Sequence, residues 1–535
     1  MKGNLAGRLA SAFLDSKLTP LLMAAALGVG VWTLATMASE EEPQIIVPLA
    51  DLYLPLPGAQ PEEVENRLLI PLETVLQGVE GVEYVYSHAE PGFGLVTVRY
   101  EVGRDMEESL VRLYSTLMKH MDRMPAGFMA PLVKTVTIDD VPFFTATLRS
   151  QELSPDELRS LADEVRVSLE SVPEVRNIEV TGGEPREIRV ELLPERMAEY
   201  GVDPAWVAER LASANMRSDA GEFTRGGEVV KVVAGPFLES ADDVRRVVLD
   251  VRDGALVQVE DLARVVDGPG EITQYAFHTD AAGGWTPMVA IAVSKRPGAD
   301  ATAVGRALEA RLHDVEETLI PGNVTTQVVR NYGETAREKV VTLQEHLLMA
   351  ILAVGLVVAL TMGWRAAVVV MMAVPVTFAL TLFVYQIFGY TLNRVTLFAL
   401  IFVTGIVIDD SIIVAENMER HFAMRDRPLR AAARAAVDEV GNPTILATLT
   451  VIAAVLPMLF VGGLMGPYMS PMPIGATVAM LFSLGVALII TPWLAFRLLK
   501  GAHGGEDGHG AGAGGYVLED TRIYRIYRRF MEPLL

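Results

Sequence analysis

The chain has 535 residues, of which 51% are hydrophobic, and a mean hydropathy of +0.32, which is too apolar for an ordinary soluble protein. Residues 39–345 carry 54 acidic and 29 basic side chains, a balance of -25, whereas the net charge of the whole chain is -22. So acidic a region argues against nucleic acid as a partner. The chain contains no cysteine, which excludes disulfides and thiolate metal sites.

Six apolar stretches are long enough to cross a bilayer, which needs about 20 residues. The stretches are 20–37, 346–364, 366–389, 396–417, 442–465 and 472–498. For the first stretch, a cleaved signal peptide is the alternative interpretation, because Lys2, Arg8 and Lys17 precede it. The lysines and arginines near the stretch ends predict a cytoplasmic amino terminus and put residues 39–345 outside, in the periplasm of a Gram-negative cell.

The outer region alternates strands and helices. Its first part predicts a strand at 45–56, a helix at 60–79, two strands within 82–102 and a helix at 105–121. This β-α-β-β-α order is typical of a ferredoxin-like split unit. A second unit begins at 142–150, continues with a helix at 155–171 and the strand VRNIEVTG, and resumes at 287–312. Residues from about 182 to 277 therefore form an inserted domain, with a hairpin at 221–237.

The carboxyl-terminal segment predicts a flexible linker at 500–520, followed by an amphipathic helix at 521–535 on the inner membrane surface. His503 and His509 are interpreted as solvated linker side chains rather than metal ligands.

Residues 405–420, GIVIDDSIIVAENMER, place three carboxylates in the fourth apolar stretch. In a helix, Asp409 and Asp410 point about 100° apart, so Asp409 shares a face with Glu416 and Asp410 shares the next face with Asn417. At ~1.5 Å per residue, the aspartates lie ~20 Å below the outer end of the stretch and Glu416 lies ~10 Å further, near the headgroups.

An ionised carboxylate at the depth of Asp409 and Asp410 costs ~3 kcal/mol, and two adjacent carboxylates repel each other. At least one of them is therefore expected to take up and release protons, as a proton-driven transporter requires. The alternatives are hydrogen-bonding groups that hold helices together and a cation site, for example for sodium. We expect protons as the coupling ion, with no metal and no cofactor.

Residues 389–422, GYTLNRVTLFALIFVTGIVIDDSIIVAENMERHF, resemble the fourth spanning helix of resistance-nodulation-division (RND) transporters. The Asp-Asp pair followed by Glu-Asn resembles the hydrophobe/amphiphile efflux branch, the multidrug pumps. PGAQPEEVE at 57–65, the segment 186–215, KRPGADATAVGRAL at 295–308 and FVGGLMGP at 460–467 are similar to the same family.

The resemblance implies an α-helical polytopic inner-membrane protein with six spans and a large α+β periplasmic region of ferredoxin-like porter subdomains. The domains it implies are a cytoplasmic helix and first span at 1–38, a first porter subdomain at 39–133, a second at 134–181 and 278–335, an inserted docking subdomain at 182–277, and spans two to six at 336–499.

The resemblance further implies the N-terminal half of a proton-driven efflux pump, not an enzyme, that exports hydrophobic or amphiphilic compounds from the periplasm or the inner membrane. Asp409 and Asp410 inherit the proton-relay role, whereas Glu416 and Asn417 complete the motif and are assigned a structural role. Phe143 lies with its neighbour Phe144 near the family's aromatic pocket wall. Hydrophobic core is the preferred interpretation of these two, because an alternating strand would bury one of them in any case.

The implied partners are a trimeric assembly, a periplasmic adaptor, an outer-membrane channel and small-molecule substrates. Family members have twelve spans and a lysine facing the aspartates, but no predicted span here contains a lysine and Arg394 lies at the outer end of its helix. We therefore expect a complementary C-terminal six-helix half, on a separate chain or on the remainder of a longer one. Two copies of this chain would bring four aspartates together without a cation, so a different partner is favoured.

Two alternatives to drug efflux remain. The 23 methionines, among them Met121, Met124 and Met129, suggest a heavy-metal RND exporter, although scattered methionines are more often core residues. A non-transporting membrane assembly protein or protein-export helper is the alternative from another class. The hairpin at 221–237 is also expected to be shorter than the arm that interlocks protomers in the family.

Overall fold

The computed structural model describes residues 4–235, 237–252, 254–272, 274–279, 283–425, 427–499 and 522–532. The linker expected at 500–520, with His503 and His509, lies outside these residues. The chain divides into two compact units. The first contains Met1–Phe143, Ser294–Arg306 and Asn331–Leu535, and the second contains Phe144–Val293 and Ala307–Arg330.

Six helices in the described part of the first unit are long and apolar enough to cross a membrane. In chain order they are Leu18–Thr36, Tyr332–Met362, Trp364–Ile387, Arg394–Met424, Leu429–Phe460 and Met465–Leu499. They coincide with the six predicted apolar stretches and are numbered first to sixth below; the fourth is called the aspartate helix. A short helix, Leu5–Phe13, precedes them, and helix Arg522–Met531 lies where the amphipathic tail helix is expected.

The aspartate helix has a defined start and end. Asn393 caps its amino terminus, because Oδ1 accepts hydrogen bonds from the backbone N–H groups of Val395 and Thr396 at 2.9 and 3.0 Å. Arg425 follows its last turn in a left-handed conformation with φ 52°, which stops the helix.

The apolar helices differ in how far they are covered. The third, aspartate and sixth helices form the centre of one hydrophobic core that contains Val370, Val403 and Ala487. In the most apolar windows of the second and fifth helices, only 11% and 17% of residues are buried. A large part of this membrane-facing surface is therefore available to lipid or to a partner.

The first unit also contains a four-stranded antiparallel sheet with helices. Its strands are Leu49–Pro55, Val82–Glu90, Phe93–Tyr100 and Leu132–Val136. Its helices are Pro61–Val64, continued through a π-turn at Glu65–Leu69 into Ile70–Gln77, and Met106–Lys119. The first strand lies between the third and the fourth, and the second lies beside the third. The fourth strand crosses the domain boundary expected at residue 133 and pairs with the first strand.

The second unit is organised around a sheet with the same strand order. Phe144–Arg149 lies between Trp285–Lys295 and Thr325–Asn331, while Val175–Thr181 and the short Phe277–Thr279 pair with Trp285–Lys295. The helices of this sheet are Pro155–Leu169 and Ala301–Thr318.

The inserted segment of the second unit has its own core around Val207, Val259 and Leu262. Its strands are Arg186–Leu192 paired with Ala263–Pro269, Val248–Arg252 paired with Ala255–Gln258, and Ser218–Arg225 paired with Glu228–Ala234. Its helices are Pro194–Tyr200, Pro204–Ala214, Ala241–Arg245 and Val259–Leu262. The ribbon formed by Ser218–Arg225 and Glu228–Ala234, with its tip at Gly226 and Gly227, corresponds to the predicted hairpin.

Candidate proton-binding site

Asp410 lies in the core of the apolar helices and is 8% exposed. Two hydroxyl groups from neighbouring helices meet its carboxylate. Ser483 Oγ on the sixth helix is 3.0 Å from Oδ2, and Thr448 Oγ1 on the fifth helix is 3.3 Å from Oδ1. The aspartate helix thus presents Asp410 to a polar pocket built by two other helices.

Each of these hydroxyls has a second acceptor within reach. Ser483 Oγ is 2.7 Å from the carbonyl oxygen of Val407, and Thr448 Oγ1 is 2.9 Å from that of Thr444. A hydroxyl has one proton and two lone pairs, so it donates to one acceptor at a time at full strength. With Asp410 ionised, the hydroxyls can donate to the carboxylate; with Asp410 protonated, they can donate to the carbonyls and accept the carboxyl proton. The site can therefore satisfy Asp410 in both protonation states.

Unlike Asp410, Asp409 lies on the exposed surface of the aspartate helix. It is exposed on a stripe of the aspartate helix whose other members follow at helical spacing: Phe398, Phe402, Gly405, Ile413 and Glu416. No hydrogen bond reaches Asp409 from the described residues. Because ionised carboxylates are costly in a bilayer, a surface that holds one calls for a polar or cationic partner.

A cationic partner for the aspartates is not present in the part of the chain that the structure describes: no ion pair there contains Asp409 or Asp410. Arg394 instead pairs with Glu42 at the outer end of the aspartate helix. Nor do the described residues contain a group of three or more His, Cys, Asp or Glu side chains placed to hold a metal ion.

The second half of the motif contacts the fifth helix. Asn417 is buried, and its Nδ2 donates to the carbonyl oxygen of Ala436 at 2.8 Å and to Glu439 Oε2 at 3.4 Å. Glu416 lies on the exposed stripe with Asp409, near its cytoplasmic end. This part of the motif thus contributes one hydrogen-bonded contact between helices, through Asn417, and one exposed carboxylate, Glu416.

Phe143 and Phe144 are both buried, at 5% and 0% exposure. Alternation does not separate them, because the strand begins only at Phe144 and Phe143 belongs to the preceding turn. Hydrophobic core stays the preferred interpretation of both residues.

Sequence reasoning missed four polar residues that surround the motif: Thr448, Ser483, His421 and Glu439. The hydroxyl residues lie 38 and 73 positions from Asp410 and are common in apolar helices, so no local signal marks them. His421 did carry a signal, since it follows Asp410 by eleven positions and shares its helix face.

The whole chain is similar to known proteins. The model of the AcrB/AcrD/AcrF family matches residues 9–535. The multidrug resistance protein MdtC of Klebsiella pneumoniae is 28% identical over 461 residues, which are 86% of this chain and 44% of that protein. MdtC of Yersinia enterocolitica is 27% identical over 509 residues, covering 95% of this chain and 49% of that protein. MdtC of Escherichia coli is 27% identical over 461 residues, covering 86% and 44%.

The apolar helices, the acidic α/β region and the carboxylate pair of the aspartate helix, with Asp410 buried and Asp409 exposed, define a multi-pass membrane protein of the RND transporter class. The chain belongs to the AcrB/AcrD/AcrF family, which confirms the RND resemblance and places it in the inner membrane. It spans about half the length of the curated relatives it matches.

Proposed function

We propose that this chain is the N-terminal half of a proton-driven efflux pump that exports hydrophobic or amphiphilic compounds from the periplasm or the inner membrane. The observation that carries the proposal is Asp410, a buried carboxylate whose two hydroxyl neighbours can serve both its protonation states. Asp409 and Asp410 are the proton-relay pair, and protons are the coupling ion. The name of the relatives, multidrug resistance protein, supports drugs as the substrate class.

The proposed architecture has the six apolar helices as six membrane spans. The sheet unit that begins at Leu49–Pro55 is a ferredoxin-like porter subdomain, and the sheet around Phe144–Arg149 is the second. The segment inserted between Thr181 and Phe277 is the docking subdomain. Support comes from the strand order, which is the same in both sheets, and from the separate core of the inserted segment.

The proposed partner in the membrane is a complementary six-helix half. Support comes from the stripe around Asp409, which leaves a carboxylate uncovered among aromatic and aliphatic side chains. A partner that brings a cation to Asp409 would remove the cost of that charge. A second copy of this chain would bring further aspartates instead.

Outside the membrane, the proposed assembly is a trimer that works with a periplasmic adaptor and an outer-membrane channel. The ribbon Ser218–Arg225 with Glu228–Ala234 supports assembly, because the described part of it is exposed and carries Phe223 and Val229 at 48% and 61% exposure. An exposed apolar ribbon is suited to pairing with a neighbouring subunit.

The test is proton-driven drug efflux by the complete transporter carrying Asp409→Asn or Asp410→Asn. Both variants are expected to lose active efflux while the protein remains in the membrane at normal levels, because an amide cannot exchange the proton. Glu416→Gln is the matched control, since Glu416 lies on the stripe of Asp409 but near the headgroups; it is expected to keep most activity. Normal efflux in both aspartate variants would contradict the proposal and favour an assembly protein.

A further inference from the structure

A buried histidine meets a carboxylate at the cytoplasmic end of the aspartate helix. His421 is 8% exposed, and its Nε2 lies 2.7 Å from Glu439 Oε2 on the fifth helix. The Glu439 side chain is 50% exposed, and its other oxygen accepts a hydrogen bond from Arg420 at 2.6 Å. The pair therefore joins the packed helix interior to the solvent-accessible surface.

The second ring nitrogen of His421 is enclosed. Nδ1 is buried and has no hydrogen-bond partner among the residues that the structure describes. A neutral imidazole that donates from Nε2 to Glu439 leaves Nδ1 as a free acceptor. An unsatisfied buried polar atom costs ~1–3 kcal/mol, so it calls for an explanation beyond packing.

His421 lies directly below Asp410. Eleven residues amount to three turns plus about 20°, so the two side chains share a helix face and are separated by ~16 Å along the axis. The facing fifth helix carries Thr448 beside Asp410, then Thr444 one turn nearer the cytoplasm, and both are 3% exposed. Buried polar side chains thus follow one line from Asp410 to the His421–Glu439 pair.

We infer that His421 and Glu439 form the cytoplasmic exit of the proton route from Asp410, an inference that rests on the proposed function. A proton arriving from the side of Asp410 binds Nδ1, and the proton on Nε2 passes to Glu439 Oε2. The ring remains neutral, and Glu439 releases the proton to the cytoplasmic solvent. For the next cycle, the proton on Nδ1 is released to water as the ring reorients and Nε2 binds one from water, which restores the first tautomer. Imidazole is suited to this step because its two nitrogens bind and release protons near neutral pH.

The charged groups on the neighbouring elements have contacts with residues other than His421. On the aspartate helix, which carries His421, Arg420 binds Glu439 from the solvent side. On the fifth helix, Asp438 is engaged by Asn4 of the amino-terminal segment, whose backbone N–H donates to Asp438 Oδ1 at 2.9 Å. On the sixth helix, Arg497 lies over the Trp493 ring, with the guanidinium carbon 4.5 Å from the ring centre. Glu439 is thus the titratable group in direct contact with His421.

The test follows Asp410 in the complete transporter, reconstituted with its cytoplasmic face outward. The outer pH is jumped and the carboxylic-acid C=O infrared band of Asp410 is followed in time; the band is assigned by its loss in Asp410→Asn. In His421→Gln, the amide can still donate to Glu439 but cannot shuttle a proton. The band is expected to follow the jump at least ~10-fold more slowly than in the wild type, with unchanged final amplitude.

Two further variants distinguish proton transfer through His421 and Glu439 from a purely structural role of their hydrogen bond. Glu439→Gln keeps a polar partner for the ring. It is expected to slow the response of the Asp410 band to the pH jump as much as His421→Gln does. His421→Val removes both the hydrogen bond to Glu439 and the ring that transfers the proton. A slow response in His421→Val alone, with normal rates in the two glutamine variants, would show a structural tie and overturn the inference.

A wild-type response rate of the Asp410 band in all three variants would also overturn the inference that His421 and Glu439 form the proton exit. If wild-type protein shows no Asp410 band at any cytoplasmic pH, the proton relay itself fails. That outcome appears before any His421 variant is measured, so the two failures can be told apart.

Discussion

At the scale of single residues, the hydroxyls around Asp410 are expected to govern coupling. Thr448→Ala removes the donor to Oδ1, and Ser483→Ala removes the donor to Oδ2. A hydrogen bond to a charged group contributes ~1.5–3 kcal/mol, so each change is expected to slow proton-driven efflux roughly tenfold or more. The measurement is the initial rate of dye efflux in energised vesicles.

Thr450→Ala provides the matched control for this experiment. Thr450 also donates to its own helix, to the carbonyl oxygen of Leu446 at 3.0 Å, but it is exposed and makes no contact with Asp410. It is expected to behave as wild type. Equal losses in Thr448→Ala and Thr450→Ala would show that the hydroxyls act on helix geometry and not on the carboxylate.

The candidate site shows what a single sequence can reveal about residues. The aspartates were predictable because charge inside an apolar run is costly and therefore conspicuous. Ser483 and Thr448 were not, because a hydroxyl in an apolar helix usually bonds to its own backbone, and only the packing of three helices directs these two at Asp410.

At the scale of elements, the packing of the third and sixth helices depends on one glycine. A Cβ at Gly475 would overlap Tyr385 Oη, which donates to the carbonyl oxygen of Pro471 at 2.7 Å. Gly475→Ala is therefore expected to destabilise the helix core by ~1–3 kcal/mol and lower the thermal denaturation midpoint in detergent. Gly485 lies on the same helix with open space around its Cβ position, so Gly485→Ala is expected to leave the midpoint unchanged or raise it.

The inserted segment is expected to respond to acid through one strand pair. Arg186 on Arg186–Leu192 donates to both carboxylate oxygens of Asp267 on Ala263–Pro269, at 2.7 and 2.6 Å. This hydrogen bonding holds the pKa of Asp267 below its ordinary value of 3.8. A carboxyl group whose pKa is lowered by folding stabilises the fold above its ordinary pKa, and that stability is lost as the pH falls through the folded value.

Hydrogen exchange measures this acid response in the full chain. Protection of residues 186–192 and 263–269 is expected to fall below about pH 4 in the wild type. In Asp267→Asn the protection should be lower at neutral pH and less dependent on pH. Glu260→Gln is the control, because Glu260 is exposed and has no polar partner among the described residues; a Glu260→Gln profile like that of Asp267→Asn would contradict the assignment.

Prediction from sequence succeeded for elements where the signal is local. Six apolar runs of sufficient length predicted six helices, because a run of that length needs no distant partner to be recognised. The strand Leu132–Val136, which lies across the boundary expected at residue 133, was not predicted, because it pairs with Leu49–Tyr53, about eighty residues earlier. Pairing between distant strands leaves little trace in the local pattern.

At the scale of the whole molecule, the stripe around Asp409 requires a neighbour. Asp410 is buried on one side of the aspartate helix, whereas Phe402, Asp409 and Ile413 are exposed on the other side. Lipid alone would leave the carboxylate without a polar group, at a cost of ~3 kcal/mol when ionised. A protein surface carrying a cation would remove that cost.

A photo-crosslinking residue in place of Phe402, which is 55% exposed, tests this argument in native membranes. We expect a cross-link to a different six-helix polypeptide segment, and mass spectrometry of the adduct should find a lysine or arginine near the linked site. The control replaces Leu21, which is 64% exposed on the first helix, and is expected to give mainly lipid adducts. Lipid adducts at both positions would show that the stripe faces the bilayer. An adduct of twice 58.1 kDa containing this chain alone would show a second copy, and the two aspartate pairs would then have to share protons to avoid repulsion.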